Sequence, residues 1–455
     1  MISPEEMREV TRRYKSPIGL ILGSHSALDQ MAGMRDYGIK GLIYATKERA
    51  QTYFREPRVG RPDEIIEDLP AVVSREMYVS EDLKDVARKR GDWTEAILIV
   101  DKYEDILKPE NLDTLRDLEA IQIPNRAFAV YVGGNNCELI ENDFSVPILG
   151  SRNLLKIEDR EKLEKNYYWY LEQANIPHPL GFKYEVTPQG IRFKENVEQP
   201  IVLKIPHAGR RLERGFIFAG NGQSLQEEVA KAIANGNILQ EDLRDGRVEE
   251  YIPGVTANFN FFYSPIYAEE HWGAVEKFEA RTRLANEFLS IDERRETTHD
   301  GILRMPASEQ LKADWSKTRY PPNFEVTAHS MISLRESLIR LMYPIADAFV
   351  EFTQKSDPPG IIGAYCVQTL ITFEKRAYVE ALSQGVYDAA GQNFYDFVPK
   401  TQDIAVRHGG GTNVHQGIGS QYANAKYKQT MSTGDRIALE IIRAKKKKML
   451  DKIVT

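Results

Sequence analysis

Two groups of residues in this chain have the types and spacing to act on a phosphorylated small molecule. The first is Gly23-Ser24-His25-Ser26-Ala27-Leu28-Asp29, directly after the apolar run at 18–22. A strand that empties into such a turn, and then into a helical pattern with Leu28, Met31 and Met34 on one face, places backbone N–H groups and two hydroxyls at a helix N-terminus. An anion such as phosphate is held there by amides and the helix dipole. Taken alone, Ser24 or Ser26 could equally be a plain N-cap.

The second group begins with Pro200-Ile201-Val202-Leu203-Lys204, which reads as a buried strand ending in a lysine. It is followed by the basic, glycine-punctuated loop 206–215, which contains Arg214. A strand lysine can contact nucleotide phosphates from one side while a basic loop covers them. Further on comes Glu249-Glu250-Tyr251-Ile252-Pro253-Gly254. There an extended backbone could pair with an adenine edge while a carboxylate takes the ribose hydroxyls. A snorkelling lysine and ordinary strand polarity would explain each part singly. The ordered set points to a nucleotide site.

The elements that must carry these residues follow from length and periodicity. A chain of 455 residues with 42% apolar and 28% charged side chains suits two or three folded domains. Its net charge of −7 argues against general nucleic-acid binding, which needs a basic surface. The basic run Lys445 to Lys448 reads as a solvated helix face. Two cysteines, Cys137 and Cys366, are too few for a disulfide framework or a cysteine-rich metal site. Residues 1–14 lack the apolar stretch of a signal peptide and no run reaches membrane-span length, so a cytoplasmic protein without a membrane partner is expected.

In the first third, apolar runs at 18–22, 42–45, 72–78, 96–100 and 127–131 read as strands, with helices at 28–37 and 81–89 between them. That alternation implies a parallel sheet covered on both faces. Pro147 and Gly150 punctuate its end. A charged helix is expected at 157–174, stopped by Asn175-Ile176-Pro177-His178-Pro179. Strands at 201–205, 216–218, 249–252, 258–263 and 278–283 then give an α+β pattern. No low-complexity linker separates the parts, so they are expected to pack against one another.

The order of a Rossmann-like lead domain, a Lys-bearing strand, a flexible basic loop and a Glu-Glu-Tyr-Ile hinge resembles an ATP-grasp ligase. More narrowly, the chain is similar to the archaeal-type formate–phosphoribosylaminoimidazolecarboxamide ligase (FAICAR synthetase) family. The likeness is carried in order by Gly23-Ser24-His25-Ser26-Ala27-Leu28, Gly150-Ser151-Arg152-Asn153-Leu154-Leu155, Phe261-Phe262-Tyr263-Ser264-Pro265 and Ser290-Ile291-Asp292-Glu293-Arg294-Arg295. It continues through His299-Asp300-Gly301, Leu334-Arg335-Glu336-Ser337-Leu338, Pro358-Pro359-Gly360-Ile361-Ile362-Gly363 and Gly410-Gly411-Thr412-Asn413. The resemblance implies an α/β plus α+β chain: a Rossmann-like pre-ATP-grasp domain at 1–150, an ATP-grasp small subdomain with a nucleotide lid at 151–260, and a C-terminal subdomain with the metal site at 261–455.

The family's reaction plan would follow. A carboxylate, here formate, attacks the γ-phosphate of ATP, and the amine of an aminoimidazole carboxamide ribonucleotide captures the acyl phosphate. Such chemistry asks the protein mainly for alignment and charge neutralisation. The resemblance assigns Gly23, Ser24, His25 and Ser26 to the ribonucleotide; Arg126, as a charged replacement for a lost hydroxyl contact, Arg335, by its fork geometry, and Asn413 are also expected near substrate. It assigns Lys204, Arg214, Glu249, Glu250, Tyr251 and Ile252 to ATP. The motif Asp403-Ile404-Ala405-Val406-Arg407, with Gly411-Thr412-Asn413 after it, keeps the family's spacing with Asp for Glu. Gln368 stands where ATP-grasp enzymes carry a carboxylate, so Gln368 and Asp403 are the expected ligands of Mg²⁺ or Mn²⁺. Arg294 and Arg407 are the expected catalytic cations, because a guanidinium fork suits phosphate and carboxylate alike.

Three departures stand out. Pro124-Asn125-Arg126-Ala127-Phe128 stands where the family has Pro-His-Gly-Ser-Phe, residues 378–402 read as an insertion, and Glu293 replaces one of two paired arginines. They leave two alternatives: an ATP-grasp ligase for another carboxylate and amine, and a nucleotide-binding regulatory protein whose catalysis has decayed. Among the histidines, His178, His207, His271, His329 and His415 show no ligand-like spacing and read as structural or exposed, whereas His299 and His408 lie inside resembling segments. A homo-oligomer is expected, as relatives of this fold commonly assemble.

Overall fold

The computed structural model describes residues 2–24, 26–55, 77–134, 137–158, 164–205, 215–270, 285–314, 317, 319, 326–376, 394–408, 426–429 and 431–455. Among these residues no helix is long and apolar enough to cross a membrane.

Strands Ile18–Leu22 (β1), Gly41–Thr46 (β2), Met77–Ser80 (β3), Glu95–Val100 (β4) and Ala120–Gln122 (β5) form a parallel sheet in the order β3-β4-β2-β1-β5. All five residues of β1 are buried, as expected of a strand covered on both faces. The chain leaves β1 towards β2 on one side and returns to β5 on the other. The crevice outside the carboxyl ends of β1 and β5 is therefore the topological switch point, where open α/β sheets bind ligands.

The run at 127–131, expected as a strand, belongs instead to the helix Arg126–Val132. Asn125 decides this: its Oδ1 accepts the Phe128 N–H at 3.1 Å and caps the helix. Periodicity cannot distinguish so short an apolar run from a buried helix. The fifth strand is the three residues of β5. Of the expected strand at 72–78, positions 72–76 lie outside the described residues. The charged helix expected at 157–174 is a 3₁₀ turn, Arg152–Glu158, and a separate helix, Tyr167–Gln173, whose first amides at Tyr168 and Trp169 are capped by Asn166.

Gly181–Phe182 (β6), a hairpin of Tyr184–Thr187 (β7) and Gly190–Phe193 (β8), Ile201–Lys204 (β9), Phe216–Ala219 (β10) and Arg247–Glu250 (β11) make up a smaller unit. Its antiparallel sheet runs β10-β9-β11-β6. Strand alternation turns Ile201 and Leu203 into a core with Leu225 and Val229 of the helix Gly222–Ala234, and leaves Val202 and Lys204 on the opposite face.

Val255–Tyr263 (β12), Asn286–Glu296 (β13), Val326–Met331 (β14), Gly363–Arg376 (β15) and Phe394–Ala405 (β16) form an antiparallel sheet in the order β14-β13-β12-β15-β16. One face buries Phe259, Phe261, Tyr365, Val367 and Ile404 against the helices Tyr167–Gln173 and Met342–Ser356. Residues 394–402, read as part of an insertion, are the paired length of β16, and 377–393 lie outside the described residues, as does the strand expected at 278–283.

The last helix, Thr433–Lys447, returns to the parallel sheet and lies on the helix Ala27–Asp36. Contact is so close that a Cβ on Gly33 would fall 2.1 Å from the Gly434 carbonyl carbon, and one on Gly434 2.0 Å from the Asp29 carbonyl oxygen. Met31, Met34, Phe262, Leu289, Ile437 and Ile441 share one core. The front and back of the chain are thus a single packed body. Lys445 to Lys447 end that helix exposed, where cations suit the dipole.

Candidate functional site

The turn after β1 is built for close approach. A Cβ on Gly23 would meet the Ala45 Cβ at 2.7 Å, and its carbonyl accepts the Tyr103 hydroxyl at 2.9 Å. Ser24 and Ser26 are buried, and Ser26 holds the N-cap position without a side-chain capping bond. Asn125 closes the switch point from the other side, its Nδ2 donating to the Leu22 and Ser24 carbonyls at 3.0 and 3.2 Å. Arg126 follows, and its guanidinium is bound to Glu158 at 3.1 Å. His25 lies outside the described residues.

On the small sheet, Lys204 and Glu249 form an ion pair at 2.5 Å, with Arg247 on the same carboxylate at 3.1 Å. Burial opposes charge on Glu249, but Lys204, then the Tyr168 hydroxyl and Arg247, outweigh it and hold the carboxyl below its ordinary value. Glu250 turns away and accepts the Leu180 N–H at 3.0 Å. The Tyr251 amide donates to the Pro200 carbonyl at 2.8 Å, so within this hinge the Tyr251 N–H is already used. Beside the hinge lies a cleft of about 420 Å³ lined by Pro200, Phe218, Gly220, Tyr251 and, from the helix Thr297–Ile302 that follows β13, His299. Phe218 and Tyr251 meet edge to face in it. Ile252 is buried at the hinge's end. Arg214 lies outside the described residues.

The other face of the large sheet carries a polar row. Asp292 on β13, Asn258 on β12, Gln368 on β15 and Asp403 on β16 are successive cross-strand partners, and directly opposed residues share a face. Gln368 Oε1 and Asn258 Oδ1 are buried with no hydrogen-bond partner among the described residues. Orphaned acceptors beside a carboxylate are what a hard cation would satisfy. Among the described residues no group of three or more His, Cys, Asp and Glu gathers as in a transition-metal site, so any cation here would rest on amide as well as carboxylate oxygens.

By strand alternation Arg294 shares the face of Asp292, and Arg407 follows two residues past the end of β16. Burial pushes the Cys366 thiol well up; its charged surroundings are Asp292, Arg294, Arg407 and Asp403. Arg294 is half-buried and makes no hydrogen bond or ion pair among the described residues. Arg407 is bound to Glu158 at 2.6 Å, and burial lowers its pKa against that carboxylate's pull. Arg335 stands apart: it is exposed, and its guanidinium lies 5.9 Å from the Phe397 ring, six residues along β16 from Asp403. Glu293 pairs with Arg295 at 2.5 Å, alternating away from Arg294. Asn413 lies outside the described residues.

Several residues escaped the spacing argument. Glu158 holds Arg126 and Arg407 together and also accepts the Val406 N–H at 2.8 Å. Asp292 accepts from Asn258, Asn260 and His329. The alternation Asn258-Phe259-Asn260-Phe261 facing Ser290-Ile291-Asp292 is the signal that was available: polar residues at period two on strands whose other face is aromatic.

Residues 224–455 match a family model described as a domain of unknown function (DUF1297), and residues 19–182 match one described as a protein of unknown function (DUF1246). A 5-formaminoimidazole-4-carboxamide-1-(beta)-D-ribofuranosyl 5'-monophosphate synthetase of Methanopyrus kandleri is 29% identical over 457 residues, covering 100% of both chains. The protein of the same name from Methanobrevibacter smithii is 31% identical over 381 residues, covering 84% of this chain and 88% of its own. A crystal structure of an IMP biosynthesis protein PurP from Thermococcus kodakaraensis superposes with a TM-score of 0.58 at 22% identity, covering 96% of this chain and 100% of that one.

Proposed function

We propose, from the premise that this chain belongs to the 5-formaminoimidazole-4-carboxamide ribonucleotide synthetase family, that it joins formate to the amine of an aminoimidazole carboxamide ribonucleotide at the expense of ATP. The fold is a Rossmann-like domain followed by a two-part ATP-grasp fold, and the protein is a carbon–nitrogen ligase of purine biosynthesis. The observation that carries the reading is the row Asp292, Asn258, Gln368 and Asp403 across one face of the large sheet, with the orphaned acceptors Asn258 Oδ1 and Gln368 Oε1 in it.

In this reading the units are 1–150, 151–260 and 261–455. The turn Gly23, Ser24, His25 and Ser26 holds the ribonucleotide at the switch point, with Arg126, Arg335 and Asn413 as further substrate contacts. Lys204 and Arg214 face the ATP phosphates, and the hinge Glu249 to Ile252 takes the adenosine, whose base fits the cleft beside Tyr251. Because the Tyr251 amide is used by Pro200, the adenine edge pairs with the backbone around it. Gln368 and Asp403 hold Mg²⁺ or Mn²⁺, which when bound draws charge off the triphosphate oxygens.

The chain's own part is alignment. Formate attacks the γ-phosphorus, ADP departs, and Arg294 and Arg407 neutralise the phosphoryl oxygens as charge passes to them. Glu158 fixes the Arg407 fork and excludes rotamers that would point it away. The amine then captures the formyl phosphate, releasing phosphate. A homo-oligomer is part of the proposal, checked by sedimentation. ADP release that depends on formate plus the ribonucleotide is the deciding assay; ATP binding with no such release would sink the reading.

A second reading rests on Arg126. Since Glu158 already neutralises it, it is a weak substitute for a phosphate-binding turn, and a ligase acting on a different carboxylate and amine follows. A substrate panel followed by phosphate release separates the two.

A further inference from the structure

His329 sits on β14, at the edge of the large sheet, opposite Arg294. Its Nδ1 lies 2.7 Å from Asp292 Oδ1. Asp292 is buried and also accepts from Asn258 Nδ2 at 2.9 Å and Asn260 Nδ2 at 2.8 Å. Burial works against its charge, but His329 and the two amides outweigh that and hold the carboxyl below the usual range. An ionised carboxylate can only accept, so Nδ1 carries the hydrogen, and in the neutral ring Nε2 keeps the lone pair. The imidazole retains 22% exposure while Asp292 has 1%. A buried carboxylate that fixes the tautomer of a reachable imidazole is how proteins orient a general base.

Its position fits that use. Asp292 and Gln368 are two strands apart in register, roughly 10 Å at the usual ~4.8 Å per strand. A phosphoryl group near Gln368, an acyl carbon and an attacking nitrogen, end to end, fill such a span, and the imidazole stands at its far end above β13. Among the described residues the charged groups beside His329 are Asp292, its hydrogen-bond partner, and Arg294, its register partner, both from β13; β12 contributes neutral amides.

We infer that His329 is the general base of the amine-capture step, with Asp292 as its positioning residue. The assignment rests on the ligase reading. In this step the amine lone pair forms the C–N bond to the acyl carbon and an N–H proton passes to His329 Nε2. The C–O bond to phosphorus-bound oxygen breaks, and its electron pair leaves on inorganic phosphate.

The test uses His329→Ala and His329→Gln in the full chain and follows two half-reactions. With ATP, Mg²⁺, formate and hydroxylamine, acyl phosphate is trapped as hydroxamate without the ribonucleotide. With the ribonucleotide in place of hydroxylamine, formylation is followed across pH. The variants should trap hydroxamate within about threefold of wild type, lose formylation by about 100-fold or more, and lose the acid limb of its pH profile. Formylation equal to wild type overturns the assignment, and so does an equal loss in both half-reactions, the mark of a purely structural histidine. Neither hydroxamate nor formylated ribonucleotide from wild type would instead overturn the ligase reading itself, and the histidine's role with it.

Discussion

His408 Nε2 stands 3.1 Å from Asp29 Oδ2, and both side chains are buried. Gln30 Nε2 lies 3.2 Å from the other ring nitrogen, and Asp29 also accepts the Gly434 N–H at 3.0 Å. The first turn of the switch-point helix, the end of β16 and the start of the last helix are thereby pinned at one point. The distance between Ser24, the proposed ribonucleotide contact, and the Arg407 guanidinium depends on this pin.

His408→Ala should therefore cost about 3 kcal/mol of stability, because it empties a buried position and takes the ring away from the Gln30 amide and the Asp29 carboxylate. Urea unfolding measures it. A loss below about 0.5 kcal/mol would show that Gly434 alone satisfies Asp29.

Arg294 predicts the opposite pairing of effects. As a half-buried cation with no partner among the described residues, it should be replaceable by alanine at under about 1 kcal/mol. Formate-dependent ADP release should nonetheless fall by about 100-fold or more, the scale of losing a transition-state charge contact. Thermal melting and turnover on the same preparation check both halves.

Gln368→Glu adds a second carboxylate to the proposed cation site. Opposite Asp403 across the strands, a second carboxylate should lower the Mg²⁺ concentration for half-maximal activity several-fold. Without metal it should lower the melting temperature through like-charge repulsion. Unchanged Mg²⁺ dependence would place the cation elsewhere.

Glu287 gives a pH signature away from the site. Burial resists its charge, but Arg436 at 2.9 Å, with Lys426 and Tyr427, brings its pKa from 4.5 down to about 2. A depressed carboxyl stabilises the fold above its unfolded pKa and loses that contribution as pH falls towards about 2. The stability advantage of wild type over Glu287→Gln should shrink by about 2 kcal/mol between pH 6 and pH 3. An advantage constant over that range would mean the pair does not titrate as a unit.

Local pattern determined much of this protein. The apolar run before Gly23, the buried strand ending at Lys204 and the basic run that closes the last helix are properties of a few adjacent residues, and each element formed where its pattern placed it. Gln368 and Asp403 were picked by spacing and likeness, and hairpin register made them cross-strand partners. Pattern failed where the deciding contact was not periodic: Asn125 capped 126–132 into a helix, against an apolar run that suits a strand as well. Tertiary structure alone decided that Glu158 joins Arg126 to Arg407, that Asp292 orients His329, and that Asp29 meets His408, 379 residues away in sequence. Such pairs are chosen by the packing of whole sheets and helices, and nothing in the neighbourhood of either residue encodes the other.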